Sequence, residues 1–145
     1  MSERVAGYSE KSLAEKLGIK SGFTVALIDP PLDYRGLLEP LPLDVRFGAL
    51  ADNPQLIHYF ATERKQFSKQ LRHLRSKMDD DAMLWVSWPK KSSRRQTDMT
   101  EDVVREIALP LGLVDTKVCA VDEIWSGLRL FVRVKNRRSA KATSR

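Results

Sequence analysis

The sequence predicts a single three-layer α/β domain, a mostly parallel sheet that ends in a C-terminal antiparallel hairpin. Three observations carry this. Strand-like apolar runs alternate with helical patterns, the order expected of a parallel sheet covered on both faces. Phe23–Ile28 is apolar on both of its faces, as a strand between two helical layers must be. Leu128, Leu130, Val132 and Val134 alternate with Arg129, Phe131 and Arg133, a period-two strand preceded by a turn. The chain has 145 residues, a length that buries about 68–70% of its unfolded surface around one core without a disulfide or metal staple.

Each element follows from local chemistry. Ser9 or Ser12 caps a first helix ending at Leu17; Ser12 with Glu15 has capping-box spacing, and Gly18 closes it. Asp29-Pro30-Pro31 halts the Phe23–Ile28 strand, because proline supplies no ladder donor. A short helix over Asp33–Leu38 precedes Pro40 and Pro42, and strands are expected at Val45–Leu50 and Leu56–Ala61. Thr62 is placed to cap a helix over Glu63–Met78, whose core stripe is Phe67, Leu71, Leu74 and Met78, with Lys65, Lys69 and Arg72 opposite. Ala82–Trp88 is a strand halted by Pro89, and Lys90–Gln96 is a basic loop. A helix from Thr97 or Thr100 buries Val104, Ile107, Ala108 and Leu111 and stops at Gly112. Leu113–Val121, a turn over Asp122–Gly127 containing Ser126-Gly127, and Leu128–Val134 complete the hairpin.

Composition narrows the function classes. With 42% hydrophobic and 30% charged residues the chain reads as a folded domain. No apolar run approaches the roughly 20 residues of a membrane span. Glu3 and Arg4 open the chain without an apolar core, so no signal peptide is expected, and one cysteine suits a reducing cytoplasm. The net charge of +6 is unevenly spread. Residues 64–95 hold ten basic side chains against Asp79, Asp80 and Asp81. Lys135, Arg137, Arg138, Lys141 and Arg145 carry no acid among them, so the domain is set at 1–134 and 135–145 is expected to be a disordered basic tail.

The order of elements resembles a trimmed class I methyltransferase-like Rossmann fold. A closer resemblance, over about residues 7–137, is to a family of small bacterial proteins of unknown function. It rests on Gly7-Tyr8-Ser9, Leu13–Lys20, Leu84–Lys91 with its Trp88-Pro89-Lys90-Lys91 ending, Asp98–Arg105, Gly112–Asp115, Lys117–Glu123 and Trp125-Ser126-Gly127-Leu128. The family brings no activity with it. The methyltransferase architecture implies a glycine-rich turn after the first strand to hold S-adenosylmethionine. Here that turn reads Asp29-Pro30-Pro31-Leu32-Asp33, and no G-x-G or phosphate-loop pattern occurs elsewhere. The expectation is therefore no cofactor and no methyl transfer. Asp52 could imitate the acidic residue that holds ribose hydroxyls, but beside Asn53-Pro54 it reads as a loop cap.

Other chemistries find little support. His58, His73 and Cys119 show no metal-ligand spacing, and Ser126 has no evident base. No catalytic residue is assigned. In an open α/β sheet ligands bind outside the carboxyl ends of the strands, where Trp88–Lys91 and Asp122–Ser126 should meet. Lys90, Lys91, Glu123 and Trp125 are therefore the expected binding residues, for a small ligand or a protein, with Trp125 as a stacking wall. The second reading is a nucleic-acid accessory protein using the 64–95 zone and the tail, although no reading motif accompanies the charge. A third is an enzyme without a recognisable motif.

Overall fold

The computed structural model describes residues 11–137, which run as α1 (Leu13–Leu17), β1 (Thr24–Ile28), α2 (Tyr34–Leu37), β2 (Arg46–Phe47), β3 (Leu56–Phe60), α3 (Arg64–Lys77), β4 (Met83–Pro89), α4 (Glu101–Ala108), β5 (Leu113–Ala120) and β6 (Trp125–Val132). Residues 9 and 10 of the expected first helix lie outside the described residues. The strands form one sheet in the order β2-β1-β3-β4-β6-β5. β2, β1, β3 and β4 are mutually parallel, and β6 runs antiparallel to both β4 and β5. The predicted α/β class, with its closing antiparallel pair, is the observed one.

Two apolar layers sandwich the sheet. On one face Phe67, Leu71, Leu74 and Met78 of the α3 region meet Val104 and Ala108 of α4 over Ile57, Leu84, Val86 and Leu130. On the other, Ala14 and Leu17 of α1 and Tyr34 and Leu38 of the α2 region pack on Val25, Leu56, Phe60 and Trp85. β3 is buried at every position, which is why its sequence shows no polar alternation. Trp85 links the layers' frame to α1: its indole N–H donates to the Leu17 carbonyl at 2.8 Å, one of the helix-end acceptors left without an internal partner.

Several local expectations are corrected. The strand foreseen over Val45–Leu50 is only Arg46–Phe47, because β2 is an edge strand and the chain then turns into a 3-10 segment at Leu50–Asp52. Thr62 does not cap α3. Its carbonyl accepts the Thr97 hydroxyl, and Asp98 Oδ1, from a loop distant in sequence, accepts the Arg64 backbone N–H at 2.7 Å. Ser126-Gly127 lies in β6 and not in the turn. The turn is tightened by Asp122, whose Oδ1 accepts the backbone N–H groups of Ile124 and Trp125, both at 2.8 Å. Gly127 is needed in the strand, since a Cβ there would stand 3.1 Å from Ser87 Oγ and 3.2 Å from the Trp85 ring.

Hydrogen-bonded structure continues past residue 134. Val134–Asn136 forms a 3-10 turn, so Val134 leaves the strand pattern and is exposed. Arg75, mostly buried, donates to the carbonyls of Leu111 and Asn136 and pairs with Asp80. Arg137 donates to the Val132 carbonyl and pairs with Asp81. Guanidinium groups thus collect carbonyls from the segments that flank the last two strands. The rest of the expected tail, 138–145, lies outside the described residues.

Candidate functional site at the carboxyl edge of the sheet

β1, β3 and β4 end at one edge, and β6 begins there. Pro89 stands opposite Trp125 in the β4–β6 ladder, and the Lys90 backbone N–H donates to the Ile124 carbonyl at 2.7 Å. The Trp88–Lys91 and Asp122–Ser126 segments therefore share one surface. On it Lys90 is half-buried, while Lys91 and Glu123 are exposed.

Trp125 is not the open stacking wall expected. It is 6% exposed and packs edge-on against Phe60, with ring centroids 5.1 Å apart. The reason is register: as the first residue of β6, its side chain points into the α1–α2 layer. Only a margin of the indole reaches solvent, where the Arg95 guanidinium lies 6.0 Å from the ring centroid.

That margin borders a cleft of about 420 Å³ between the segment leaving β1 and the β5–β6 turn. Asp29, Asp33, Tyr34, Arg95, Asp122 and Trp125 line it, so its polar groups come from three loops. Arg95 and Tyr34 were not singled out from the sequence. The topological rule does point to the segment after β1, but nothing in the spacing of Lys90–Gln96 says which of its cations turns towards the cleft.

Beneath the cleft lies a buried polar chain of Tyr34, His58 and Ser87. The Tyr34 hydroxyl is hydrogen-bonded to His58 Nδ1, and His58 Nε2 lies 2.7 Å from Ser87 Oγ. A neutral imidazole has one donor and one acceptor, and either hydroxyl can take the complementary role. His58 is fully buried and stacked on Phe60, and burial pushes its pKa down to about 3. Burial raises the Tyr34 phenol, with a smaller contribution from Cys119. Ser87 has a histidine partner but no exposed surface, so the chain ties α2 to β3 and β4 rather than presenting a nucleophile. Cys119 is buried and unpaired in any disulfide; burial pushes its thiol up, against the pull of Lys16 and Lys117. Such a thiol is unreactive. Among the described residues no three His, Cys, Asp or Glu side chains gather in a metal-ligand arrangement, and no helix is long and apolar enough to cross a membrane.

No family model and no curated protein matches the sequence. Solved structures do match the fold. A B. subtilis tRNA methyltransferase aligns at TM-score 0.53 with 12% identity, over 86% of this chain and 67% of its own. Magnesium protoporphyrin IX methyltransferase from Synechocystis, with bound S-adenosylmethionine, aligns at TM-score 0.51 and 14% identity, over 83% and 74%. A SAM-dependent methyltransferase from Aquifex aeolicus gives 0.50 and 13%, over 83% and 87%. At such identities the likeness shows the fold: this is a methyltransferase-like Rossmann domain.

The residues at the edge do not fit the methyl donor. Asp29 takes a left-handed conformation (φ 54°), and Pro30 and Pro31, which follow it, have no N–H to offer a ligand. α2, with four residues, is too short to present a helix N-terminus. Asp52 Oδ2 accepts the Ala49 backbone N–H at 2.8 Å, so the carboxylate that could imitate a ribose-holding acid is the loop cap the sequence suggests.

Proposed function

We propose that this chain is a methyltransferase-fold binding module without methyl-transfer activity, taking a small ligand or a polar segment of a partner protein at the carboxyl edge of its sheet. The observation that carries this reading is the cleft between the β1 exit and the β5–β6 turn. It lies where open α/β sheets bind ligands, and the groups around it are held in place. Tyr34 is anchored by His58, and Asp122 by two backbone donors. Preorganisation of this kind lowers the ordering cost of binding. Arg95 supplies the cation for an anionic or carbonyl oxygen, the carboxylates of Asp29 and Asp33 accept from ligand donors, and the Trp125 margin and Leu37 cover an apolar part. Lys90, Lys91 and Glu123 stand as the rim of the same edge.

Native mass spectrometry of the protein purified from its own host tests this. The wild type should carry a bound species that Arg95→Ala loses and Lys90→Ala weakens, with melting temperatures unchanged. A wild type that carries nothing, or an Arg95→Ala variant that retains its cargo, contradicts the reading.

A further inference from the structure

The outward face of α3 is a second surface, on the opposite layer from α1 and α2. Across Arg64–Lys77 the helix contains no acidic residue. Phe67, Leu71 and Leu74 occupy its buried side, and every fully exposed position is polar: Arg64, Lys65, Gln66, Lys69, Arg72, His73, Ser76 and Lys77. Lys65, Lys69 and Arg72 fall at i, i+4 and i+7, one row of the helix surface. Arg64 is committed to Glu106 and Arg75 to Asp80, whereas no described carboxylate pairs with Lys65, Lys69, Arg72 or Lys77. At the N-terminal end the 97–98 segment is fastened to the helix by the Thr97–Thr62 and Asp98–Arg64 bonds. Shallow grooves run along both sides of the row. One of them, about 540 Å³, lies between Lys65, Ser68, Lys69 and Arg72 on one wall and Asp98 and Ile107 on the other. The acid in its lining, Asp98, accepts the Arg64 backbone N–H, and the groove on the other side of the row carries one acid, Glu63.

We propose that this face binds the sugar-phosphate backbone of a nucleic acid without reading its bases. Three features select that occupant. The face is a line of unpaired cations, complementary to regularly spaced phosphates. Apart from His73, its other exposed side chains, Gln66 and Ser76, are of the types that bond phosphate and sugar oxygens. None of its exposed helix positions carries an apolar side chain, and the one at its border, Ile107, is half-buried, so it lacks the anchor that a protein interface needs at its centre and a membrane-surface helix needs along one side. The helix is about 20 Å long, the length of roughly six base steps of duplex. The proposal is independent of the carboxyl-edge cleft, since none of Lys65, Lys69 and Arg72 lines it.

Fluorescence anisotropy with a labelled 20-mer single-stranded RNA and a labelled 20-bp duplex DNA tests it on the full chain, between about 50 and 200 mM salt. The wild type should bind at least one of the two, with affinity falling steeply as salt rises. The triple reversal Lys65→Glu, Lys69→Glu, Arg72→Glu should weaken binding at least about tenfold at low salt and flatten the log–log salt slope by about 2. The milder Lys65→Gln, Lys69→Gln, Arg72→Gln set should flatten it in the same direction. A matched reversal on the other layer, Lys16→Glu, Lys20→Glu, Lys117→Glu, all exposed, should bind as the wild type does. Failure of the wild type to bind either probe, equal loss in the matched control, or binding to phosphatidylserine vesicles but not to the oligonucleotides would overturn the proposal.

Discussion

Acid acts on this fold through His58. In the native state the ring is fully buried between Tyr34 of α2 and Ser87 of β4, with Phe60 stacked on one side and Trp85 nearby. Among the described residues no charged group bonds to it, so protonation would leave an uncompensated cation, and burial holds its pKa at about 3 against the ordinary 6.5. The unfolded chain takes up that proton near 6.5 and the folded chain does not. Stability is therefore at its full value above pH 6.5 and falls as the pH drops through the window towards 3. Each pH unit in that window lowers the folding equilibrium constant about tenfold. Urea unfolding at closely spaced pH values from 7 to about 5, above the range in which most carboxylates titrate, measures this slope. His58→Gln, neutral throughout, should be less stable at pH 7 by about 1–3 kcal/mol for its disturbed hydrogen bonds. Its stability should also decline less with acid, by about one proton. A wild-type curve that is flat from pH 6.5 to 5, or one parallel to that of His58→Gln, would refute the reasoning.

Further expectations concern the packing around the same frame. Gly127→Ala should cost about 1–3 kcal/mol in urea unfolding, because its Cβ meets Ser87 Oγ and the Trp85 ring, neither at the loose end of a side chain. Arg75→Ala should cost about 3 kcal/mol by the same measurement, since it withdraws the guanidinium that joins Asp80 to the Leu111 and Asn136 carbonyls. Truncation after Arg137 should leave the melting temperature unchanged. Truncation after Val134 should lower it by about 3 °C or more, through loss of the Asn136 and Arg137 contacts.

Much of the fold was legible because its signals are local. The Phe67–Leu71–Leu74–Met78 stripe and the Ser12–Glu15 capping box appear where the sequence puts them, and the Leu128–Leu130–Val132 alternation falls within β6, though the strand begins at Trp125 and ends before Val134. The errors fall where a distant residue decides. Asp98 takes over the capping of α3, and the Arg75–Asn136 and Arg137–Asp81 contacts extend order past residue 134; the exception is the hairpin turn, which Asp122 tightens locally. The site was legible as a place: strand order alone brings Pro89–Lys90 beside Ile124–Trp125. Its side chains were less so. Whether Trp125 faces solvent depends on which residue starts β6, and a one-residue difference reverses the answer. The Tyr34–His58–Ser87 chain joins residues 24 and 29 positions apart, with no periodicity to betray it.

The central claim is that a methyltransferase-like fold here has an edge not built for the methyl donor. Calorimetric titration of the purified protein with S-adenosylmethionine tests it most directly. With no amide donors at Pro30 and Pro31, and Asp52 tied to Ala49, the titration should show no saturable heat. Saturable binding in the micromolar range, abolished by substituting Asp52, would contradict the account.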